Sequence, residues 1–274
     1  MDTVGSTQIK PSMCSIGWRD ESVETAVAAI SQAGYVGVEM WQPHVQRHLD
    51  AGGSVASLNA LVQNHALKVP MLSGYYDLAE HPEESLLALE HHAEQAATLK
   101  APLLRMFTGG ESSTEASLAT WDAVTKALRR ACDIAATLDL GIAIETHEGN
   151  LHDTTESTLH LLRAVARPNL FVNLDIYNLF AIGEDPIAAL ARLGPHVRMV
   201  HLKNAIRKDK SRRLGIPLAE GDMPYGPFLR ALADSGYDGY ASIEWFGPAP
   251  AEAAVSELCY LQSVLGDNLA RRIN

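Results

Sequence analysis

The chain has 274 residues, 47% hydrophobic and 20% charged, which excludes a disordered polypeptide. Its 33 acidic side chains outnumber 22 basic ones, a formal charge of −11 that weighs against a phosphate-backbone partner, so no nucleic acid is expected. No apolar run approaches the roughly 18–20 residues that cross a bilayer, and residues 1–13 lack the charged and apolar regions of a signal peptide, so no membrane association is expected.

From the N-terminus, the first apolar segment, MCSIGW (13–18), is expected as a strand. Residues 21–33 follow with Val23, Ala26, Val27 and Ile30 at helical spacing. VGVEMW (36–41) and LKVPML (67–72) are the next two strands. Residues 84–99 carry Leu86, Leu87, Leu89, Ala93, Ala96 and Leu99 at helical spacing. PLLRMF (102–107) is strand four, and residues 115–138 a long amphipathic helix. LGIAIE (140–145) is strand five, followed by a helix over 154–166 that Asp153 or Thr154 caps. LFVNLD (170–175), VRMVHL (197–202) and YASIEW (240–245) complete eight strands. Gly34, Gly141 and Gly236 stand where helices stop. The pattern small-Gly-Tyr-x-Gly occurs at 33–37 and again at 235–239, each time leading from helix to strand.

The strands are nearly continuous in Val, Ile, Leu and Met, as parallel strands buried on both faces are. Eight strand–helix units in one chain of this length predict a (β/α)8 TIM barrel, a single domain over residues 1–274. A doubly wound open sheet is the rival, and no glycine-rich dinucleotide loop follows the first strand to support it. The three cysteines, Cys14, Cys132 and Cys259, are far apart and give neither zinc spacing nor a disulfide framework; a cytoplasmic setting is the expectation. The basic run Arg207-Lys208-Asp209-Lys210-Ser211-Arg212-Arg213 is either a small anion site or a solvated loop.

In such a barrel the functional side chains stand at the C-terminal ends of the strands. The fifth ends in Glu145, the sixth in Asp175, the seventh near His201 and the eighth in Glu244. Each follows an apolar stretch, where an unpaired charge is costly to bury. A shared divalent cation removes that cost for all four together. Oxygen-rich ligation with one nitrogen suits Mn²⁺, Mg²⁺, Co²⁺ or Zn²⁺ and does not choose among them; Mn²⁺ is the expectation.

The segments Ile144-Glu145-Thr146-His147, Asn173-Leu174-Asp175, Val200-His201-Leu202-Lys203 and Ser242-Ile243-Glu244-Trp245 resemble the sugar isomerase/epimerase superfamily with its xylose-isomerase-like barrel. Gly37-Val38-Glu39-Met40-Trp41 and Glu220-Gly221-Asp222 extend the resemblance over nearly the whole chain. It implies a metal-dependent isomerase or epimerase of a small sugar or polyol-derived carbonyl compound. The alternative it leaves open is a lyase or dehydratase acting on a keto-cyclitol or keto-sugar. In the superfamily's epimerases the residues matching Glu145, Asp175, His201 and Glu244 hold the metal, and the two glutamates also move protons on opposite faces of the substrate, by way of an enediolate.

Around that mouth, His147 is placed to bind a substrate hydroxyl or orient Glu145, and Lys203 to bind an oxyanion, transfer a proton or pair with a ligand carboxylate. Arg207 falls where ketose epimerases carry a substrate arginine. Trp18, Trp41, Phe107 and Trp245 end strands and can wall a sugar pocket, and Arg105 is a candidate internal ion-pair partner. The ketose epimerases carry a histidine where this chain has Asn178 and an acidic residue where it has Leu151, which separates it from them. The superfamily's endonuclease branch also needs a histidine at the Asn178 position. The lack of a phosphate-cradling glycine loop favours an unphosphorylated carbohydrate substrate; the subunit number, including a homo-oligomer, stays open.

Overall fold

The computed structural model describes residues 8–208 and 211–271, and ten strands and ten α-helices lie among them. Residues 1–7, within the N-terminal stretch 1–13 considered above, and Asp209 and Lys210 of the basic run lie outside the described residues. The strands are β1 (Lys10–Cys14), β2 (Gly37–Trp41), β3 (Met71–Ser73), β4 (Leu103–Met106), β5 (Gly141–Glu145), β6 (Leu170–Asp175), β7 (Val197–Leu202), β8 (Asn204–Lys208), β9 (Ser211–Ile216) and β10 (Tyr240–Ile243). The helices are α1 (Val23–Ala33), α2 (Gln42–Asp50), α3 (Val55–Asn64), α4 (Pro82–Leu99), α5 (Leu118–Ala136), α6 (Thr155–Val165), α7 (Ile176–Ala181), α8 (Pro186–Leu193), α9 (Tyr225–Asp234) and α10 (Pro250–Leu265). Eight strands close a parallel barrel in the order β1-β10-β7-β6-β5-β4-β3-β2, and β8 and β9 form a separate antiparallel pair. The expected single TIM barrel is the observed fold. No helix among the described residues is long and apolar enough to cross a membrane.

Local chemistry sets the element ends. Ser22 caps α1, its side chain accepting from the Thr25 N–H, and Gly34 ends the helix at φ 102°. Thr154 and Ser157 form a reciprocal capping box at the start of α6. The floor of the barrel is apolar: Met71, Leu103, Ala143 and Met199 meet there, with Phe171 and Tyr240 packed against them. A Cβ on Gly37 would stand 2.7 Å from the Tyr240 ring, and one on Gly141 2.8 Å from the Phe171 ring, so both positions admit only glycine without a shift.

Several expected boundaries move. The first strand is Lys10–Cys14, not 13–18, and Ser15–Trp18 is a turn of 3₁₀ helix. Trp18 therefore does not end a strand; it is 2% exposed and packed into the core, away from the position expected of a pocket wall. Strand three shrinks to Met71–Ser73, because Pro70 has no N–H to give the ladder and Lys68 makes only an isolated bridge to Gly37. Gly141 is not a helix stop but the first residue of β5; the left-handed residue after α5 is Asp139, at φ 57°. The described residues of the basic run lie in strands and not in a loop: Arg207 and Lys208 end β8, Ser211, Arg212 and Arg213 begin β9, and Arg207 pairs in register with Arg212.

Candidate metal centre

Glu145 closes β5, Asp175 closes β6, His201 is the fifth residue of β7, and Glu244 follows β10 directly. Register aligns them: Asp175 pairs with His201, and His201 with Ser242, two residues before Glu244. Asp175 also caps α7, accepting from the Asn178 N–H at 3.2 Å, and Glu244 is anchored by its N–H to the Leu202 carbonyl at 2.9 Å. One ligand atom from each of the four lies within 4.8 Å of all the others, and all four residues are buried. The strand-end spacing read from the sequence is thus a real cluster in space.

Charged partners surround it. Arg105, 2% exposed, donates to Glu145 Oε2 at 2.9 Å and stands 3.6 Å from Glu244 Oε1. Lys203 Nζ lies 2.6 Å from Asp175 Oδ2 and 3.0 Å from Glu244 Oε2, so the lysine bridges two of the three carboxylate-bearing strand ends. Glu39, in β2, faces His201 Nε2 at 2.9 Å. Burial would raise Glu145, but Arg105, with His201 and Lys203, holds its carboxyl well below the usual range. Burial would pull Lys203 down, yet Asp175 and then Glu244 and Glu145 keep its ammonium well above its ordinary value. For Asp175 burial dominates and Lys203 only partly offsets the rise.

The residues fit a divalent cation on two observations. His201 Nδ1 is buried and has no hydrogen-bond partner, and it stands 3.6 Å from Glu145 Oε2 and 3.9 Å from Glu244 Oε2. A buried ring nitrogen without a hydrogen-bond partner, facing two carboxylates, is an arrangement that a shared cation suits. The four carboxylates Glu39, Glu145, Asp175 and Glu244 also face only two obligate cations, Arg105 and Lys203. With His201 neutral, a divalent ion would bring the set to balance.

At the mouth, Tyr75 stacks on Phe107 with centroids 6.2 Å apart, and the Phe107 ring meets His147 edge-on at 5.3 Å. The Arg105 guanidinium lies 5.1 and 4.9 Å from the Tyr75 and Phe107 ring centres. Trp41 donates its indole N–H to the Tyr75 hydroxyl at 3.1 Å, and Phe246 covers Lys203 from the other side at 5.8 Å. His147 is partly exposed, its Nδ1 2.7 Å from the Glu148 carbonyl. Of the four aromatic residues expected as pocket wall, Trp41 and Phe107 belong to this rim. Trp245 is turned inward, bonding the Pro248 carbonyl at 2.9 Å.

Arg207 is elsewhere. Its N–H donates to Asp222 Oδ2 at 2.6 Å and its guanidinium to the Ala181 carbonyl at the end of α7. It lines a separate cavity of about 360 Å³ with Tyr177, Phe180 and Asp222, so the structure does not bring it to the ligands. Arg212 ion-pairs with Glu148 and ties the hairpin to the loop after β5. Asn178 donates its amide to the Thr146 carbonyl at 3.0 Å, and Leu151 is a core residue. Arg105 is the internal ion-pair partner expected of it. The residue missing from the expected set is Glu39; a lone carboxylate inside the apolar segment GVEMW was the signal for it.

This barrel and site define a class: the chain belongs to the xylose isomerase-like TIM barrel family, whose profile matches residues 27–263. Among particular relatives, it is 30% identical to 3-dehydroshikimate dehydratase of Bacillus anthracis over 259 residues, 87% of this chain and 91% of the relative. It is 24% identical to fructoselysine 3-epimerase of Shigella flexneri, covering 86% of this chain and 90% of that one. The crystal structure of the probable 3-DHS dehydratase AsbF of petrobactin synthesis from Bacillus anthracis superposes with a TM-score of 0.84 and 27% identity, over 93% of this chain and 99% of that one. Dehydratases and epimerases of one family are therefore both its relatives.

Proposed function

We propose that the protein is a divalent-metal-dependent dehydratase acting on a small, unphosphorylated, polyhydroxylated ketone of the 3-dehydroshikimate kind. The observation that carries this reading is the 3.0 Å contact between Lys203 Nζ and Glu244 Oε2. It sets a proton acceptor beside a proton donor on one side of the site. Loss of water from a β-hydroxy ketone needs that pair: a base for the C–H next to the carbonyl and an acid for the departing hydroxyl. The relative with 30% identity over nearly its whole length supports the same reading.

Glu145, Asp175, His201 and Glu244 would hold the metal, Mn²⁺ being the ion to try first among those the donor set admits. The cation would supply Lewis acidity at the substrate carbonyl, making the neighbouring C–H acidic. The chain's own residues do the rest. Glu244 takes the C–H proton. The Lys203 ammonium gives a proton to the β-hydroxyl, the C–O bond breaks and water leaves. Arg105 fixes the free swing of Glu145 through the 2.9 Å bond and presents positive charge to the mouth. The Tyr75–Phe107 stack and Phe246 form walls suited to a flat ring, and His147 at the rim can bind a substrate hydroxyl.

The second reading, an isomerase or epimerase, draws on the fructoselysine 3-epimerase relative and on the presence of both Glu145 and Glu244. The test is to incubate the protein and Mn²⁺ with 3-dehydroshikimate, keto-inositols and ketoses in D₂O. A product lighter by one water supports the dehydratase. Deuterium in recovered or isomerised substrate with no loss of water overturns it in favour of the second reading.

A further inference from the structure

Glu39 is the most costly side chain in the barrel to explain. It is fully buried in the middle of an apolar strand, and an isolated carboxylate there would be strongly destabilising. It is not among the four clustered ligands. Both of its oxygens are engaged: Oε2 meets His201 Nε2 at 2.9 Å, and Oε1 accepts from the Ser73 hydroxyl at the end of β3. In the closed barrel β1 and β10 stand between β2 and β7. The Glu39–His201 contact therefore crosses the barrel interior instead of joining neighbouring strands.

That geometry decides how His201 can act. A carboxylate only accepts, so Nε2 must carry the hydrogen. In the neutral ring Nδ1 is then the bare nitrogen; it is the nitrogen that has no hydrogen-bond partner, and it faces Glu145 and Glu244. Ser73 holds the far oxygen and so keeps the carboxylate from rotating away. A ring held by one edge in this manner has its lone pair fixed before any ion arrives.

We infer that Glu39, braced by Ser73, is a positioning residue that sets the tautomer and aim of His201 and thereby the metal affinity of the centre. The inference rests on the metal-centre reading above. Glu39 does not touch the ion; it acts through His201. Carboxylates in this relation to a ligating histidine typically change affinity by about 10- to 100-fold when removed.

The test is calorimetric titration of the full-length protein, stripped with chelator, using Zn²⁺ and Mn²⁺ separately. Glu39→Leu should weaken binding about 10- to 100-fold, Glu39→Gln less, since its amide oxygen can still accept from Nε2, and Ser73→Ala by a few-fold. Long-range ¹H–¹⁵N correlation of the Zn²⁺-loaded wild type should place the His201 proton on Nε2. Unchanged affinity in Glu39→Leu, or a proton on Nδ1, overturns the inference. If Glu39→Leu does not fold, Glu39→Gln and Ser73→Ala decide: wild-type affinity in both overturns it equally. Failure of the wild type itself to bind either ion overturns the metal centre instead, so the two failures are distinguishable.

Discussion

Replacing Lys203 by methionine separates its electrostatic role from its chemical one. The ammonium contacts Asp175 at 2.6 Å and Glu244 at 3.0 Å, and its side chain is only 8% exposed. Methionine keeps the length and apolar stem but leaves both carboxylates without that contact. Breaking a buried pair of this kind costs about 3–5 kcal/mol. At about 2 °C per kcal/mol for a chain of this size, the melting temperature of the metal-free protein should fall by about 6–10 °C. With Mn²⁺ at saturation most of that loss should disappear, because the ion supplies the missing positive charge. Differential scanning calorimetry with chelator and with Mn²⁺ measures both numbers. Catalytically, water loss should drop by at least about 100-fold, while exchange of the C–H next to the carbonyl with D₂O survives, because its base is Glu244. An equal fall in melting temperature with and without Mn²⁺ would refute the electrostatic argument. Loss of exchange and dehydration together would refute the assignment of Lys203 as the acid.

Other outcomes follow from the same structure. Glu257 is 2% exposed and accepts from the Leu218 N–H, and burial raises its carboxyl from 4.5 to about 7. The folded chain therefore holds an extra proton between those values; this contribution is complete below pH 4.5 and is lost as pH rises through 7, by up to about 3 kcal/mol. Glu257→Gln should accordingly melt several degrees above the wild type at pH 8 and close to it at pH 4.5, and a difference that does not vary with pH counts against this. Gly215 sits at φ 71°, and a Cβ there would stand 2.3 Å from the backbone of Gly247. Gly215→Ala should cost more than about 2 kcal/mol in denaturant titration, because neither the backbone angle nor the neighbour can give way cheaply. Finally, Mn²⁺ at 100 times its dissociation constant should stabilise the wild type by about 2.7 kcal/mol and leave an Asp175→Asn variant much less affected; equal melting-temperature shifts in the two proteins would remove Asp175 from the ligand set.

The sequence by itself determined the parts of this protein that depend on local pattern. Strands buried on both faces read as continuous apolar runs, so β6 and β7 are found at the expected residues and β2, β4 and β5 within one residue at each end. A strand that ends in a metal-competent side chain announces it, because Glu145, Asp175, His201 and Glu244 each interrupt an apolar stretch at its C-terminal limit. Where the local signal was weak, the expectations failed. Pro11 and Pro70 obscure the short strands β1 and β3, and nothing in a run of arginines and lysines distinguishes a surface loop from the hairpin β8–β9. Trp18 illustrates the limit: its composition suits a pocket wall, but the shift of β1 by three residues puts it in the core.

Only the tertiary structure decided which groups meet across the barrel. Glu39 and His201 are 162 residues apart in sequence and meet across the closed barrel, and Arg105 and Glu145, 40 apart, meet through the pairing of β4 with β5. No periodicity encodes such pairs, because the register that creates them is fixed by how eight strands close on one another. The sequence therefore determined that charged groups stand at the strand ends, and the closed barrel decided which of them meet in one cluster and that Arg207 turns instead to Asp222 and the Ala181 carbonyl.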